Sequence, residues 1–188
     1  MVFNLCARVE ALKHMQIRNL TYAALKALVL VTGLALPATA FAQDPAADQY
    51  KVDQIYSGKT KMPQFKGRDK AYSDFRSRIR DGLKAGPNFA GEYSIVQFGC
   101  GSGCSMALVA SNRTGEVFDF PRGGESNVYM TLQYSRDSRL IVAQWASYGD
   151  SSCHIEFFEW KGDKAELIST RKVGLMDECY KDIKDNLK

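Results

Sequence analysis

Histidine is scarce in this chain, which has only His14 and His154 among its 188 residues. A catalytic relay that needs a second histidine beside His154 is therefore excluded for the part after the N-terminal leader described below. The five cysteines include no Cys-x-x-Cys pair, which excludes the spacing of thioredoxin-like redox proteins. The motif Gly-x-Ser-x-Gly does not occur, so no hydrolase elbow is expected. The glycine-rich segment Gly99–Gly103 lacks the Lys-Ser/Thr ending of a P-loop, so it is not expected to bind a nucleotide.

The chain also lacks an apolar run of the roughly 20 residues that a membrane-spanning helix needs. The seventeen uncharged residues between Lys26 and Asp44 are interrupted by Pro37 and include the small-residue motif Ala40-Phe41-Ala42. This pattern is typical of a secretory leader, and a retained anchor is the alternative. We expect a signal peptide over residues 1–42, of which the first fourteen are a misplaced start, and a periplasmic or secreted protein.

Net charge is low once the leader is removed, because it falls from +4 for the whole chain to +1 for residues 43–188. Nucleic-acid binding therefore has no electrostatic support, and no stable membrane insertion is expected after cleavage. The segment Lys59–Lys70 is locally basic, with Asp69 as its only acidic residue. We interpret it as a solvated loop, with contact to an anionic wall polymer or a lipid headgroup as the alternative.

The 146 residues after the leader are enough for one globular domain with a single core. Apolar residues recur at three- and four-residue steps over Ala71–Ala85 and predict an amphipathic helix that ends at Gly86-Pro87. Tyr50–Phe65 before it is ambiguous, although its apolar residues could dock on the core. Met176–Leu187 predicts a short closing helix.

Between the two helices, β-branched and aromatic segments alternate with short turns, which is typical of antiparallel strands. We therefore expect an α+β domain: an antiparallel β-meander of about six to seven strands with one N-terminal amphipathic helix and a short C-terminal helix, stapled by disulfides. The predicted strands are Tyr93–Phe98, Met106–Ala110, Glu116–Phe120, Tyr129–Tyr134, Leu140–Ala146, His154–Trp160 and Ala165–Lys172.

Four cysteines remain after the leader, and an oxidising compartment favours their use as disulfides. The favoured pairing is Cys100–Cys104 with Cys153–Cys179, and its rival is a bridge from Cys100 or Cys104 to Cys153. A zinc site is not favoured, because adjacent Cys153 and His154 would point to opposite faces of a strand. No metal and no cofactor is expected.

A catalytic alternative depends on Cys104. The run Gly103–Val109 resembles the Asp-Cys-Ser-Gly-Leu-Val motif of NlpC/P60 cell-wall peptidases, and His154 follows Cys104 by fifty residues. This resemblance implies a cell-envelope hydrolase with Cys104 as nucleophile and His154 as base. Independently of the resemblance, Asp150 lies just before His154 in the chain and is its candidate orienting partner. In that family an Asp precedes the cysteine, which begins a helix, whereas here Gly103 precedes it and a hairpin follows.

A second resemblance is carried by Asn88-Phe89-Ala90-Gly91-x-Tyr93 and the following Gly99-Cys100-Gly101-x-x-Cys104. Over about Asn88–Arg139 the chain resembles an uncharacterised family of small exported bacterial proteins, which implies an envelope protein and transfers no catalytic residue. We favour a non-enzymatic, inhibitor- or immunity-like binding protein for a protein or envelope ligand. Two loops supply the expected contact residues, because rigid loops lose little freedom on binding: Gly101, Ser102, Gly103, Tyr148 and Asp150.

Overall fold

The computed structural model describes residues 44–188, so the expected leader and its cleavage point lie outside the described residues. Seven antiparallel strands form two sheets. The first sheet has the order β1 (Tyr93–Gly101), β2 (Cys104–Ser111) and β3 (Val117–Gly123). The second sheet has the order β4 (Val128–Tyr134), β5 (Leu140–Ser147), β6 (Ser152–Trp160) and β7 (Ala165–Leu175).

The number, type and order of the strands match the sequence-based expectation, but the single meander is divided into two. Within residues 44–188, β3 has β2 as its strand neighbour and β4 has β5. Gly123 and Gly124 adopt φ angles of 126° and 72° at the end of β3, a backbone region that favours glycine. The chain leaves the first sheet at this point, and both sheets can then bury apolar faces against each other.

The main core lies between the two sheets. Phe120 of β3 and Phe158 of β6 meet with ring centroids 5.3 Å apart, and Trp160 contacts Phe89 edge-on at 6.2 Å. Such aromatic pairs contribute stability beyond the burial of their surface. The buried members of this cluster come from both sheets and from the turn before β1: Phe89, Ala90, Ile95, Ala107, Val109, Phe120, Met130, Ile141, Ala143, Phe158 and Trp160.

Short helices cover the outer faces of both sheets. The predicted N-terminal helix is a 3-10 segment, Lys70–Phe75, followed by the α-helix α1 (Arg76–Lys84), whose Ile79 and Leu83 are fully buried against the first sheet. At the C-terminus a 3-10 helix, Met176–Tyr180, and α2 (Ile183–Asn186) pack on the second sheet. The described residues are thus mostly antiparallel β with short helices, which meets the α+β expectation in part.

After a single 3-10 turn, Ala47–Tyr50, the chain is extended over residues 51–64, a segment that we call the strap. The strap occupies most of the region that the sequence left ambiguous. Its backbone N–H groups donate to carbonyl oxygens of distant turns: Val52 to Asp137, Tyr56 to Gly91 and Lys61 to Asn112, each over 2.9 Å. The strap therefore connects the turns at which several strands begin or end. None of the helices described in residues 44–188 is long and apolar enough to cross a membrane.

Asp69 anchors the end of this strap and is almost fully buried. Its carboxylate accepts hydrogen bonds from the Gln64 N–H over 2.7 Å, from the Val117 N–H over 3.3 Å and from the Arg68 guanidinium. Burial alone would raise the pKa of Asp69, but the hydrogen bonds from Arg68 and the two N–H groups outweigh it and lower that pKa. The carboxylate thus joins the strap to β3.

Candidate functional site

Two disulfides organise one end of the molecule, with the pairing that the sequence favoured. Cys100–Cys104 closes the β1–β2 hairpin across its tip, with the Cα atoms 5.1 Å apart. Cys153–Cys179 joins β6 to the 3-10 helix after β7, with the Cα atoms 5.4 Å apart, and both of its cysteines are buried. The hairpin tip, which includes the expected contact residues Gly101, Ser102 and Gly103, is consequently a closed and largely exposed loop.

Tyr129 supports this loop from β4. Its backbone N–H donates to the carbonyl oxygen of Gly103 over 2.7 Å. A Cβ atom on Gly103 would lie 2.9 Å from Cε1 of the Tyr129 ring, so only glycine fits there without a shift. Tyr129 itself has φ 55°, a left-handed conformation that costs a bulky residue on the order of 1–3 kcal/mol. The surrounding contacts hold this strained conformation in place.

Two exposed tyrosines lie against Tyr129. The Tyr180 ring meets the Tyr129 ring edge-on with centroids 4.9 Å apart, and Tyr148 approaches its hydroxyl. Leu175, which is paired with Ser152 at the end of β7, is a third exposed side chain at this end of the second sheet. Tyr148 is 59%, Tyr180 65% and Leu175 68% exposed. We call these four side chains, together with the loop Gly101–Cys104, the tyrosine surface.

The three tyrosine hydroxyls influence one another. Interaction with the Tyr180 hydroxyl, and then with that of Tyr148, lowers the pKa of Tyr129. The same interactions raise the pKa of Tyr148 and of Tyr180. The three hydroxyls therefore titrate as one interacting group. Of this group the sequence pointed only to Tyr148, because no periodicity connects Tyr129 or Tyr180 with the hairpin loop.

His154 lies on β6 beside Asp150, which the sequence linked to it, and beside Ser152, which the sequence did not. Its Nε2 atom is 2.7 Å from the Ser152 hydroxyl and 3.5 Å from Oδ2 of Asp150. A Ser-His-Asp relay uses the two ring nitrogens separately, whereas here both neighbours approach Nε2. Ser152 is also fully buried, and the His154 ring stacks on Trp145 with centroids 4.6 Å apart. This arrangement lacks the geometry of a hydrolytic triad.

Asp150 remains ionised in the loop before β6. Interaction with the Ser152 hydroxyl, aided by the Ser147 hydroxyl and the charge of Lys172, holds the pKa of Asp150 well below its ordinary value. The Lys172 ammonium lies 3.6 Å from the carboxylate. Asp150 therefore adds a fixed negative charge to the same loop as Tyr148.

Cys104 is the nucleophile that the NlpC/P60 resemblance implies, but it is in a disulfide and lies on a different sheet from His154. Its sulfur is bonded to Cys100, and the residue begins strand β2 of the first sheet rather than a helix. His154 belongs to the second sheet. A helix N-terminus, which would lower the pKa of a catalytic thiol, is not formed at Cys104.

A buried polar group that the sequence did not indicate lies next to His154 along β6. Glu156 accepts two hydrogen bonds from the Arg122 guanidinium, over 2.5 and 2.7 Å, and a third from the indole N–H of Trp145 over 2.8 Å. Arg122 comes from β3, so this group connects the two sheets. The Glu156 carboxylate thus receives all three of these hydrogen bonds from within the protein, which indicates a structural role.

Within residues 44–188, no group of three or more His, Cys, Asp or Glu side chains is arranged to hold a metal ion. Comparison of the chain with protein-family models, with curated proteins and with solved structures found no match. The function must therefore be inferred from the chain's own residues.

Proposed function

We propose that this is a periplasmic or secreted, non-enzymatic binding protein of inhibitor or immunity type, and that the tyrosine surface is its contact site for a protein partner. One observation carries the proposal: Tyr148 and Tyr180 are more than half exposed around the strained, disulfide-supported Tyr129, and Leu175 is exposed at the same end of the second sheet. The two disulfides agree with an oxidising compartment, as the leader-like N-terminal sequence does.

The composition of the tyrosine surface supports a protein partner. Tyrosine is enriched at protein interfaces and among the residues whose truncation costs most affinity, because its ring buries a large area while its hydroxyl keeps a polar contact. Asp150, two residues after Tyr148 in the same loop, and Lys172, 3.6 Å from the Asp150 carboxylate, supply charges of both signs at the edge. An apolar centre with a polar border is the usual arrangement of such an interface.

Rigidity is a second argument. The Cys100–Cys104 bridge closes the loop, the Gly103 carbonyl accepts from Tyr129, and the Cys153–Cys179 bridge fixes the segment that carries Tyr180. Side chains and loops that are already ordered lose less conformational entropy on association, so more of the contact energy appears as affinity.

Site-specific photo-crosslinking in the native envelope tests the proposal. A photoreactive phenylalanine at position 148 should crosslink a discrete protein partner, and the same probe at position 167 should not. Leu167 is a suitable control, because it is also half exposed but lies at the other end of β7.

The partner identified in this way is then purified, and its affinity is measured by calorimetry. Tyr148→Ala with Tyr180→Ala should weaken binding by at least about tenfold, as expected for central aromatic contacts. The control pair Leu167→Ala with Ile168→Ala removes exposed apolar side chains elsewhere and should leave the affinity unchanged. Equal losses for the two pairs, or crosslinks from position 167 alone, would contradict the proposal.

A further inference from the structure

The geometry points to a second binding site, a cationic groove for phosphate groups between the loop at residues 63–67 and helix α1. The groove has a volume of about 790 Å³, which is within the range of ligand-binding clefts. Lys66 lies on its loop side, and Arg76 and Arg80 lie on its helix side. It belongs to the layer that covers the outer face of the first sheet, so it is distinct from the tyrosine surface.

Charge is distributed very unevenly along residues 43–188, despite the small net charge. The segment Lys59–Lys84 has nine basic and three acidic residues, a net charge of +6. The rest of residues 43–188 has twelve basic and seventeen acidic residues, a net charge of −5. The fold gathers this basic segment into one layer, and a cleft lined by one sign of charge concentrates ligands of the opposite sign.

The two arginines are positioned by contacts that leave most of their donors available. An Nη1 N–H of Arg76 donates to the Ser73 carbonyl oxygen over 3.1 Å. The guanidinium carbon of Arg80 lies 5.3 Å over the Phe65 ring. Neither arginine, nor Lys66, has a carboxylate oxygen within 4.0 Å among residues 44–188. The groove therefore holds three cations that form no salt bridge within the described residues.

Asp69 and Asp81, two of the three acidic residues of this segment, do not neutralise the groove. Asp69 is paired with Arg68 at 3.1 Å, and Asp81 is paired with Lys84 at 3.3 Å. Arg76 and Arg80 are four residues apart on one helix, where like charges repel each other and destabilise the helix slightly. A bound anion would remove this repulsion.

Phosphate matches this arrangement better than a single carboxylate does. A phosphate group presents several oxygens and up to two negative charges, and the planar guanidinium donates to two of those oxygens at once. Three cations in one groove can accommodate that charge or two neighbouring phosphates. The same chemistry occurs in a phosphorylated soluble polymer and in the headgroup of an anionic phospholipid.

Calorimetry with short linear polyphosphate, at a salt concentration of about 50 mM, tests the groove directly. The double variant R76Q/R80Q should bind at least about tenfold more weakly than the unaltered protein, since two charge-assisted contacts are lost. R136Q/K164Q is the matched control: it removes the same charge from exposed residues elsewhere and should change the affinity by less than about twofold. Circular dichroism and the unfolding midpoint confirm that both variants fold.

Sedimentation with phosphatidylcholine vesicles, with and without phosphatidylglycerol, distinguishes the two sources of phosphate. If the protein binds polyphosphate but not vesicles, and R76Q/R80Q abolishes that binding, the groove is assigned to a soluble polymer. Binding to phosphatidylglycerol vesicles that the same variant abolishes assigns it to a lipid headgroup. Absence of binding to both probes, or equal weakening in R76Q/R80Q and R136Q/K164Q, overturns the inference, and neither result bears on the tyrosine surface.

Discussion

Arg122 and Glu156 join the two sheets of this protein through a pair of hydrogen bonds, 2.5 and 2.7 Å long, at the edge of the shared core. The carboxylate is buried, and the arginine side chain retains 26% of its exposed surface. Because the two sheets have no strand pairing with each other among residues 44–188, this ion pair is one of the few directional links between them.

Glu156→Gln should lower the free energy of unfolding by about 3 kcal/mol, since it leaves the half-buried Arg122 without its counterion. Urea unfolding followed by tryptophan fluorescence measures the change. Glu166→Gln, which removes an exposed carboxylate on β7, is the control and should leave stability unchanged. Similar losses in both variants would show that the link between the sheets contributes nothing specific.

Gly103→Ala should damage the tyrosine surface without unfolding the protein. The new Cβ would lie 2.9 Å from the Tyr129 ring, and the φ of 70° is unfavourable for alanine by about 1–2 kcal/mol. We expect both a lower unfolding midpoint and weaker binding of the crosslinked partner. Gly99→Ala is the matched variant, because a Cβ atom there would lie 3.8 Å from its nearest neighbour, the Cys104 carbonyl oxygen. This variant should behave like the unaltered protein.

The two disulfides should differ in their contribution to stability. Cys153–Cys179 spans 26 residues, and its replacement by alanines should lower the free energy of unfolding by about 3–4 kcal/mol on the loop-entropy model. Cys100–Cys104 spans only four residues, so its removal should cost about 2 kcal/mol. Urea titrations of the two double variants give both values. The opposite ranking would contradict the loop-entropy explanation.

Asp69 predicts a specific acid sensitivity. Its pKa is lower in the folded protein than in the unfolded chain, where it is 3.8. The ionised carboxylate therefore stabilises the fold above that value, and this contribution is lost as the pH falls through the lower, folded pKa. Asp69→Asn should reduce stability by about 2 kcal/mol at neutral pH.

Chemical denaturation at several pH values between about 2 and 7 checks this dependence. The difference in stability between the unaltered protein and Asp69→Asn should shrink as the pH falls below about 4. A difference that stays constant over this range would show that the charge of Asp69 has no part in its effect.

Local patterns in the sequence were sufficient for the strands and for the apolar stripe of α1, and they favoured the disulfide pairing that is observed without excluding its rival. A strand is recognised by the alternation of apolar and polar residues and by its β-branched residues, and both are properties of neighbours along the chain. In the same way, the glycines of Gly99–Gly103 indicate a tight hairpin. The division into two sheets was not predicted, because it depends on the backbone path at Gly123 and Gly124 and on which faces meet in the core.

The candidate sites were predicted less completely. Proximity of Asp150 to His154 was expected and is observed at 3.5 Å, but the approach of both Asp150 and Ser152 to one nitrogen could not be read from spacing. Tyr129 lies on the second sheet and contacts the β1–β2 hairpin loop only because the two sheets pack together, so the sequence alone did not indicate this contact. The helical pattern placed Arg76 and Arg80 off the apolar stripe, but it contains no information about the loop that faces them.

The strap at the start of the domain has a consequence for the order of assembly. Val52 is hydrogen-bonded to Asp137, 85 positions later in the chain, and Lys61 is bonded to Asn112. During synthesis the earliest part of the domain must wait for its acceptors, because these emerge much later. Closing contacts of such long range costs more chain entropy than closing a hairpin, so we expect the strap to dock only after the turns that carry its acceptors have formed.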